Sequence, residues 1–580
     1  MKKIKIKIND KTIECFPDKT IMEVAKENEI FIPGFCGHPD FPPKGNCRVC
    51  VVEIKGHDKL AISCQKKVQA GMEIFTNTDR VKKARNLNIE LLFAEHIEKC
   101  PTCIWRVNCR LLDYAEKYKI EITRFSERKA KRKTYKFANA VEIDGSQCID
   151  CRNCLDACNM MQKINYLELK GKGLNQEIVP VKDKKVDCIY CGQCAVHCPV
   201  GAAQEQTNWE AVEKLLKKKS KVIVAQFAPS IRVSIGEEFS LPYGKIMTGK
   251  IVAGLRALGF NYIFDVNFGA DITTIVEAEE LLERVKISPS MPSITRGGKK
   301  RVGLPMMTSC CPAWVKYVEF YNPELIPNLT TARSPHIHSG GAIKTFWAES
   351  MNIKPKDIIV VSVMPCTAKK FEISRPELKI KGEAPVDYVL TTREFAWLMK
   401  KNEIDFKNLK SKPADNPLGE YSGAAAIYGG SGGVMESALR TANAMICKTS
   451  KICAPKLEFK EVRGLDGIKE ASMDIGRRKL KVAVVNGIGN IKPVIENLDN
   501  YDYIEVMACP GGCIGGGGQP IPTDNETRQK RIEALYKIDK GQDVRRAHEN
   551  KGVQEMMKWL RGQKGDLEHK VLHTKYKKRK

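Results

Sequence analysis

The predicted fold is a multidomain chain of the α+β and α/β classes, with small cluster-binding modules ahead of one large α/β domain. Three observations predict it. Nineteen of the 23 cysteines in 580 residues fall into sets with metal-ligand spacing. The C-x2-C runs all precede residue 200, and beyond residue 221 apolar runs alternate with helical stretches. Iron–sulfur clusters carry single electrons, so an ordered series of such sets implies a wire leading to a reaction centre.

Composition narrows the setting. C-x2-C spacing suits thiolates converging on metal better than disulfide staples, and fits a reducing compartment. The N-terminus, MKKIKIKIND, alternates charge with isoleucine and has no apolar core of a signal peptide. No run approaches the roughly 18 apolar residues of a membrane span. A cytoplasmic protein without membrane spans is expected. Lys plus Arg outnumber Asp plus Glu by 96 to 69, a formal charge of +27. The basic residues lie in scattered tracts (127–136, 214–221, 298–301 and 577–580), none of which interleaves aromatics in a recognisable binding module, and this argues against nucleic acid. Solvated surface and docking of an acidic electron carrier are the two remaining readings.

Along the chain, Ile4, Ile6 and Ile8 alternate with lysines as in a half-buried strand. A turn at Asn9, Asp10 and Lys11, a returning strand at 12–16 and a helix at 21–29 follow. Cys36, Cys47, Cys50 and Cys64 then give a long loop, a close pair and a distant fourth thiolate. That layout predicts a 2Fe–2S cluster on a β-grasp ferredoxin domain, with structural zinc as the alternative. A helical run at 81–95 leads to His96, Cys100, Cys103 and Cys109, a His/Cys3 cluster site. An imidazole in place of one thiolate should raise that cluster's potential.

An internal repeat of period 40 comes next. Cys148, Cys151, Cys154 and Cys158, and then Cys188, Cys191, Cys194 and Cys198, each read C-x2-C-x2-C-x3-C, and Pro199 follows the second. In two-cluster ferredoxins the fourth cysteine of each run serves the other cluster. One 4Fe–4S set is therefore Cys148, Cys151, Cys154 and Cys198; its partner is Cys188, Cys191, Cys194 and Cys158.

Strand-like runs at 222–225, 358–363, 482–485 and 503–506, with helices at 271–285 and 393–400, predict a large α/β domain with largely parallel sheets. Three cysteine motifs stand at or just after apolar runs: TSCCPAW from Thr308, MPCTAKKFE from Met364 and MACPGGCIGGGGQP from Met507. Ligands of such sheets sit beyond the strands' carboxyl ends, where the motifs can meet. Gly515–Gly518 then read as backbone approaching a cofactor, or else as a flexible loop. Cys15, Cys447 and Cys453 lack ligand spacing and read as packing. Gly487-Ile-Gly489 lacks a third glycine and reads as a turn.

These motifs, in this order, resemble the signatures of the iron-only (FeFe) hydrogenases, and the resemblance runs nearly end to end, including His573, Thr574 and Tyr576. It implies an H-cluster: a 4Fe–4S cluster on Cys311, Cys366, Cys509 and Cys513, with Cys513 bridging to a diiron subsite carrying CO, cyanide and a bridging dithiolamine. Separate maturation proteins would build that subsite. The resemblance makes Cys310 the first proton relay, a role its thiol suits, because a reference pKa of about 8.5 allows proton exchange near neutrality. Lys369 would hold a cyanide by a charge-assisted bond. Ser230, Met364 and Met507 match positions lining the subsite, although methionine packing explains the last two equally. Glu277, Glu280 and Arg284 share one face of the predicted helix. With Thr330, which stands where serine is usual, they match the family's relay to the surface. From the residues alone, a solvated salt-bridge face is the other reading. His336 stands where several relatives have glutamine near the subsite.

The implied activity is reversible reduction of protons to hydrogen. It would use one 2Fe–2S cluster, three accessory 4Fe–4S clusters and the H-cluster. Expected domains are 1–80 (2Fe–2S ferredoxin), 81–125 (His/Cys3 cluster), 138–208 (two-cluster ferredoxin), 209–522 (catalytic) and 523–580 (a segment like a small subunit). Ferredoxin or a similar acidic carrier is the expected partner, or further redox subunits binding NAD(P), flavin or formate. Two rivals are a respiratory dehydrogenase subunit, which shares the first 200 residues' pattern, and a non-catalytic relative that binds clusters for assembly or sensing. Cys310 and Lys369 argue against both. For the histidine site, His96→Cys should keep its iron and lower that cluster's potential in a redox titration. Unchanged iron with an unchanged potential would remove His96 as a ligand.

Overall fold

The computed structural model describes residues 2–94, 96, 100, 103–106, 109–125, 132–218, 220–285, 303–447, 456–475 and 478–579. The basic tract 298–301, residues 127–131 of another tract and Cys453 lie outside the described residues.

At the N-terminus a five-stranded sheet runs in the order Lys11–Cys15, Ile4–Ile8, Glu73–Phe75, Val51–Ile54, Ala61–Ile62. The strand alternation places Ile6 and Ile8 in the core under the helix Ile21–Glu27. That helix starts at a capping box, with Thr20 and Glu23 each bonding the other's backbone N–H. Cys15 is a buried packing residue here. The helix Asp79–Ala94 then leads to the His96 region.

The period-40 repeat is visible in the backbone. Asp150 and Arg152 in the first run, and Tyr190 and Gly192 in the second, all have positive φ, between 53° and 71°. These left-handed turns curl each loop around its cysteines, and a short helix follows each one, Asn153–Asp156 and Gln193–Val196. Three of the four turn residues carry a side chain, so the local strain is offset by the contacts around the loop.

The large domain holds two sheets. The first runs Tyr262–Asp265, Val222–Phe227, Ile358–Met364, Tyr388–Thr391, with every pairing parallel. The second runs Met306–Met307, Tyr503–Met507, Arg478–Asn486, Ile468–Ile475, and only the last pairing is antiparallel. Buried runs such as 223–227 and Tyr503–Met507 are what sheets covered on both faces require. Gly487, at φ 88°, does begin a turn, Ile488–Asn490. One reading is corrected: Cys447, taken as packing, is disulfide-bonded.

The two-cluster module is bound to the large domain by buried polar groups. Arg393 donates to both oxygens of Glu205, at 3.1 and 2.6 Å, and to the carbonyls of Gly517 and Gln519, at 2.8 and 2.5 Å. Glu205 is 0% exposed. Lys316 pairs with Asp187 at 2.6 Å, and Thr367 Oγ1 donates to Tyr190 O at 2.8 Å. Removing one partner of a buried pair strands the other's charge and costs about 3–5 kcal/mol. Arg393→Ala should therefore lower hydrogen-exchange protection at residues 203–205 and 517–519. Unchanged protection there would show that the pair does not hold the junction.

Candidate metal centre

Each cysteine motif of the large domain sits where a strand ends. Met306–Met307 runs into Cys310 and Cys311, Ile358–Met364 into Cys366, and Tyr503–Met507 into Cys509 and Cys513. The strands belong to two sheets, and the influence of Cys311, Cys366, Cys509 and Cys513 on one another shows that their carboxyl ends lie close together. Cys311 stands at the N-cap of the helix Pro312–Tyr321; burial raises its thiol, and the backbone N–H groups of Ala508, Trp314 and Ala313 partly offset that. Trp314 Nε1 donates back to Thr308 O at 3.0 Å and closes the motif on itself. Cys366 precedes the helix Ala368–Glu372, which carries Lys369. Gly511 and Gly512, at φ 81° and 82°, fold the third motif so that Cys509 and Cys513 turn to the same side.

The four sulfurs are close enough to burden one another. Burial pushes the Cys509 thiol well up, followed by the charges of Cys366, Cys191, Cys311 and Cys513. Burial and then Cys311 push Cys513 up to about 12. Cys366 is raised by burial, Cys311 and Cys513. Four crowded, desolvated thiols disfavour ionisation as a protein-only arrangement, and metal coordination removes that cost. The donor set therefore fits a four-iron cluster.

Cys310 points elsewhere. Its thiol is raised well above its ordinary value by burial, then by Glu277. Glu277 is wholly buried on the helix Val266–Arg284; burial, with Glu280 and Glu505 nearby, holds it up at about 8. Tyr503 OH donates to its Oε2 at 3.4 Å, while Oε1 has no hydrogen-bond partner among the described residues. One turn on, Glu280 Oε2 accepts from Thr330 Oγ1 at 2.6 Å and Thr331 Oγ1 at 3.0 Å, and Arg284 pairs with Oε1. Arg284 in turn donates to the carbonyls of Gly303 and Leu329, both at 2.8 Å. The helix face is thus inward, not a solvated salt-bridge face.

Lys369 Nζ donates to Cys310 O at 3.2 Å and to Glu372 Oε2 at 2.7 Å. His336 Nε2 lies 2.6 Å from the same Oε2, and its Nδ1 lies 3.3 Å from Ser362 Oγ. Burial, with Lys369 beside it, holds His336 down at about 4, so the neutral ring donates from Nε2 to Glu372. Gln226 Nε2 donates to Ser362 Oγ at 2.6 Å, leaving that hydroxyl to donate to Nδ1. Ser230 Oγ is buried without a partner among the described residues, and Met364 and Met507 are both 2% exposed. An unpaired hydroxyl, a lysine fixed beside Cys310 and two soft side chains suit a buried site with polar and apolar walls.

The accessory sets also assemble. Cys36 Sγ is 3.5 Å from Cys47 Sγ, and Cys64 interacts with Cys36 and Cys50. Burial raises the Cys103 and Cys109 thiols and the charge of Cys100 adds to both, while His96 Nδ1 lies 2.8 Å from Gln147 O, which orients its ring. Cys151 is raised by burial, then by Cys198 across the repeat; Cys188 by burial, then by Cys191, Cys194 and Cys158. Cys198 thus neighbours the first run and Cys158 the second. Cys509 Sγ approaches Cys191 O at 3.8 Å, so the second set abuts the reaction centre.

Sequence reasoning gave no role to Glu372, Thr331, His573 or Tyr503. Glu372 closes the MPCTAKKFE motif, and its spacing of three from Lys369 was the available signal. Thr331 Oγ1 lies 2.8 Å from His573 Nδ1, a contact that only the folded C-terminus reveals.

Five family descriptions match in series. They are "2Fe-2S iron-sulfur cluster binding domain" at 1–79, "NADH-ubiquinone oxidoreductase-G iron-sulfur binding region" at 85–124 and "4Fe-4S dicluster domain" at 147–202. "Iron only hydrogenase large subunit, C-terminal domain" matches 221–517, and "Iron hydrogenase small subunit" matches 525–579. The chain is 38% identical to the NADP-reducing hydrogenase subunit HndD of Solidesulfovibrio fructosivorans, over 100% of both chains. It is also 38% identical to iron hydrogenase 1 of Clostridium pasteurianum, over 98% of this chain and 99% of that one. An apo (FeFe) hydrogenase structure from Chlamydomonas reinhardtii superposes with a TM-score of 0.53 at 36% identity, covering 63% of this chain and 98% of that one. A complete set of cluster modules ahead of a matching catalytic domain places the chain among the iron-only (FeFe) hydrogenases.

Proposed function

We infer that this hydrogenase interconverts protons, electrons and molecular hydrogen at Cys311, Cys366, Cys509 and Cys513, fed by one 2Fe–2S and three 4Fe–4S clusters. The observation that carries the reading is the meeting of three strand-end motifs, with Cys310 placed between them and the buried Glu277. When bound, the diiron subsite supplies the centre at which two protons and two electrons combine as hydrogen. The chain's own residues hold it and manage the protons. Cys513 would bridge, Lys369 would hold a cyanide, and Ser230, Met364 and Met507 would line the cavity. His336, one step out, would steady Lys369 through Glu372.

Cys310 keeps its proton because burial opposes the thiolate, and this makes it the immediate donor and acceptor. Glu277, near neutrality in its proton affinity, is matched to receive or return that proton. Glu280, Thr330 and Arg284 carry the route outward, with Thr331 as an added hydroxyl on the same carboxylate. No described helix is long and apolar enough to cross a membrane. End-to-end similarity to an NADP-reducing hydrogenase subunit favours a second setting, in which partner subunits binding NAD(P) exchange electrons with the accessory clusters. An acidic ferredoxin-like carrier remains the partner for the chain acting alone.

Infrared spectra of protein produced with the maturation machinery should show CO and cyanide stretches; full iron loading without them would refute the reading. Cys310→Ala should keep those bands and lose about 100-fold or more in turnover, the lower range for a lost acid–base group. Undiminished turnover would remove Cys310 from the route. Glu277 gives a stability test. With a folded value of about 8 against an ordinary value of 4.5, the native state keeps a proton that the unfolded chain releases. Its stability contribution is therefore complete below the unfolded value and is lost as pH rises toward 8. The melting temperature of Glu277→Gln should gain on the unsubstituted protein between pH 5 and 8. A constant difference would mean that Glu277 is ionised throughout.

A further inference from the structure

Arg528 connects the reaction centre to the far end of the wire. Its stem lies across the glycine loop of the third motif: a Cβ at Gly511 would stand 3.0 Å from Arg528 Cδ, and one at Gly515 3.2 Å from it. Its Nη2 then reaches both oxygens of Asp40 in the 2Fe–2S domain, at 2.8 and 2.9 Å. His197 Nε2, in the two-cluster module, lies 3.2 Å from Asp40 Oδ2, while His197 Nδ1 is held 2.8 Å from Gln193 O. Asp40 N–H donates to His38 Nδ1 at 3.2 Å. One carboxylate thus joins three parts of the chain, with its side chain 6% exposed and that of Arg528 3%.

Around this carboxylate the His38 and His197 rings meet edge to face at 4.5 Å, and Phe41 packs on both, at 5.5 and 4.9 Å. His38 is two residues from Cys36, and His197 immediately precedes Cys198. The run Cys36–Gly37–His38, then across the ring contact to His197–Cys198, therefore links a cysteine of the 2Fe–2S set to one of the first 4Fe–4S set. His38, Asp40 and His197 offer three donor atoms within 4.8 Å of one another, the spacing of a cation site. Arg528 already occupies both carboxylate oxygens with a positive charge, which opposes a second cation there.

We propose that the Asp40 clamp docks the 2Fe–2S domain onto the wire, and that the His38–His197 contact is its electron junction. One electron leaves the reduced 2Fe–2S cluster and reduces the 4Fe–4S cluster of Cys198; hydrogen oxidation runs the same step backwards, and an external one-electron carrier takes up or supplies the charge. Asp40 and Arg528 are positioning residues: they touch no cluster and fix the distance between two. Breaking the pair leaves one buried charge alone and lets the N-terminal domain sample undocked positions.

The proposal rests on the cluster assignments of the proposed function, and the test separates the two. Full-length matured protein is mixed with hydrogen, freeze-quenched and read by electron paramagnetic resonance. The readout is the rate of 2Fe–2S reduction relative to 4Fe–4S reduction within one sample. Arg528→Gln and Asp40→Asn should each lower that ratio at least about ten-fold, equal to about 1.4 kcal/mol of docking free energy. The double variant should be no slower than the slower single, because both break one interaction. His38→Phe, keeping a ring against His197, should retain most of the rate, and His38→Ala should not. An unchanged ratio in both clamp variants, additive losses in the double, or loss of 2Fe–2S iron in Arg528→Gln would overturn the proposal; in the last case the clamp builds the cluster site and does not dock it. If hydrogen reduces no cluster in the unsubstituted protein, the hydrogenase reading fails, and the same ratio measured with reduced viologen as donor then decides the clamp.

Discussion

The electron path depends on the contact between the Cys191–Gly192 turn and the Gly515–Gly518 loop. A Cβ at Gly517 would lie 2.5 Å from both Cys191 O and Gly192 Cα, and one at Gly192 would lie 2.9 Å from Gly517 Cα. Only two glycines allow such an approach, and φ 71° at Gly192 requires one there on conformational grounds too. The approach brings the last accessory cysteines against Cys509, and buried groups converge to keep it. Arg393 holds the carbonyls of Gly517 and Gln519, Gln193 Nε2 holds Gly515 O at 2.9 Å, and Gln162 Nε2 holds Ala508 O at 2.9 Å. A chain built to pass electrons must make its cluster loops abut, and here backbone meets backbone.

Protons need the opposite treatment. Electrons cross short gaps between buried metals, whereas protons need titratable groups whose affinities are matched along a route. Burial supplies the matching: it raises Cys310 and lifts Glu277 to about 8, while Glu280, gripped by Thr330, Thr331 and Arg284, forms a polar outer stage. On the proposed function the electron route would pass the glycine loop and the proton route would follow the Val266–Arg284 helix. Separation of this kind lets each be tuned without disturbing the other.

Much of this was legible in the residues, for physical reasons that differ from part to part. Ligand spacing is local, so the two C-x2-C-x2-C-x3-C runs named their own sets, and strand alternation at Ile4–Ile8 named a sheet. The large domain's strands were legible as apolar runs, but their division into two sheets was not. Met306–Met307 is only two residues long, and the edge strand Ile468–Ile475 alternates weakly. The relay face was ambiguous because spacing of three and four serves a solvated ion-pair row as well as a buried path; only the 0% exposure of Glu277 separates them. Thr331 and Asp40 were out of reach because their partners stand far away in the chain, at His573 and Arg528, and for Glu372 only the Lys369 spacing was legible, not the pairing with His336. Side chains that work across domains leave no periodic mark.

The central claim is that four thiolates from three strand ends surround one cluster while a fifth, adjacent thiol stays unligated. Iron-edge anomalous diffraction from crystals of the matured protein tests it most directly. The account predicts a four-iron group bonded to the sulfurs of Cys311, Cys366, Cys509 and Cys513, with further iron on the Cys513 side and none bonded to Cys310. Iron bonded to Cys310 in place of Cys311, or a cluster held by fewer than those four sulfurs, would contradict it.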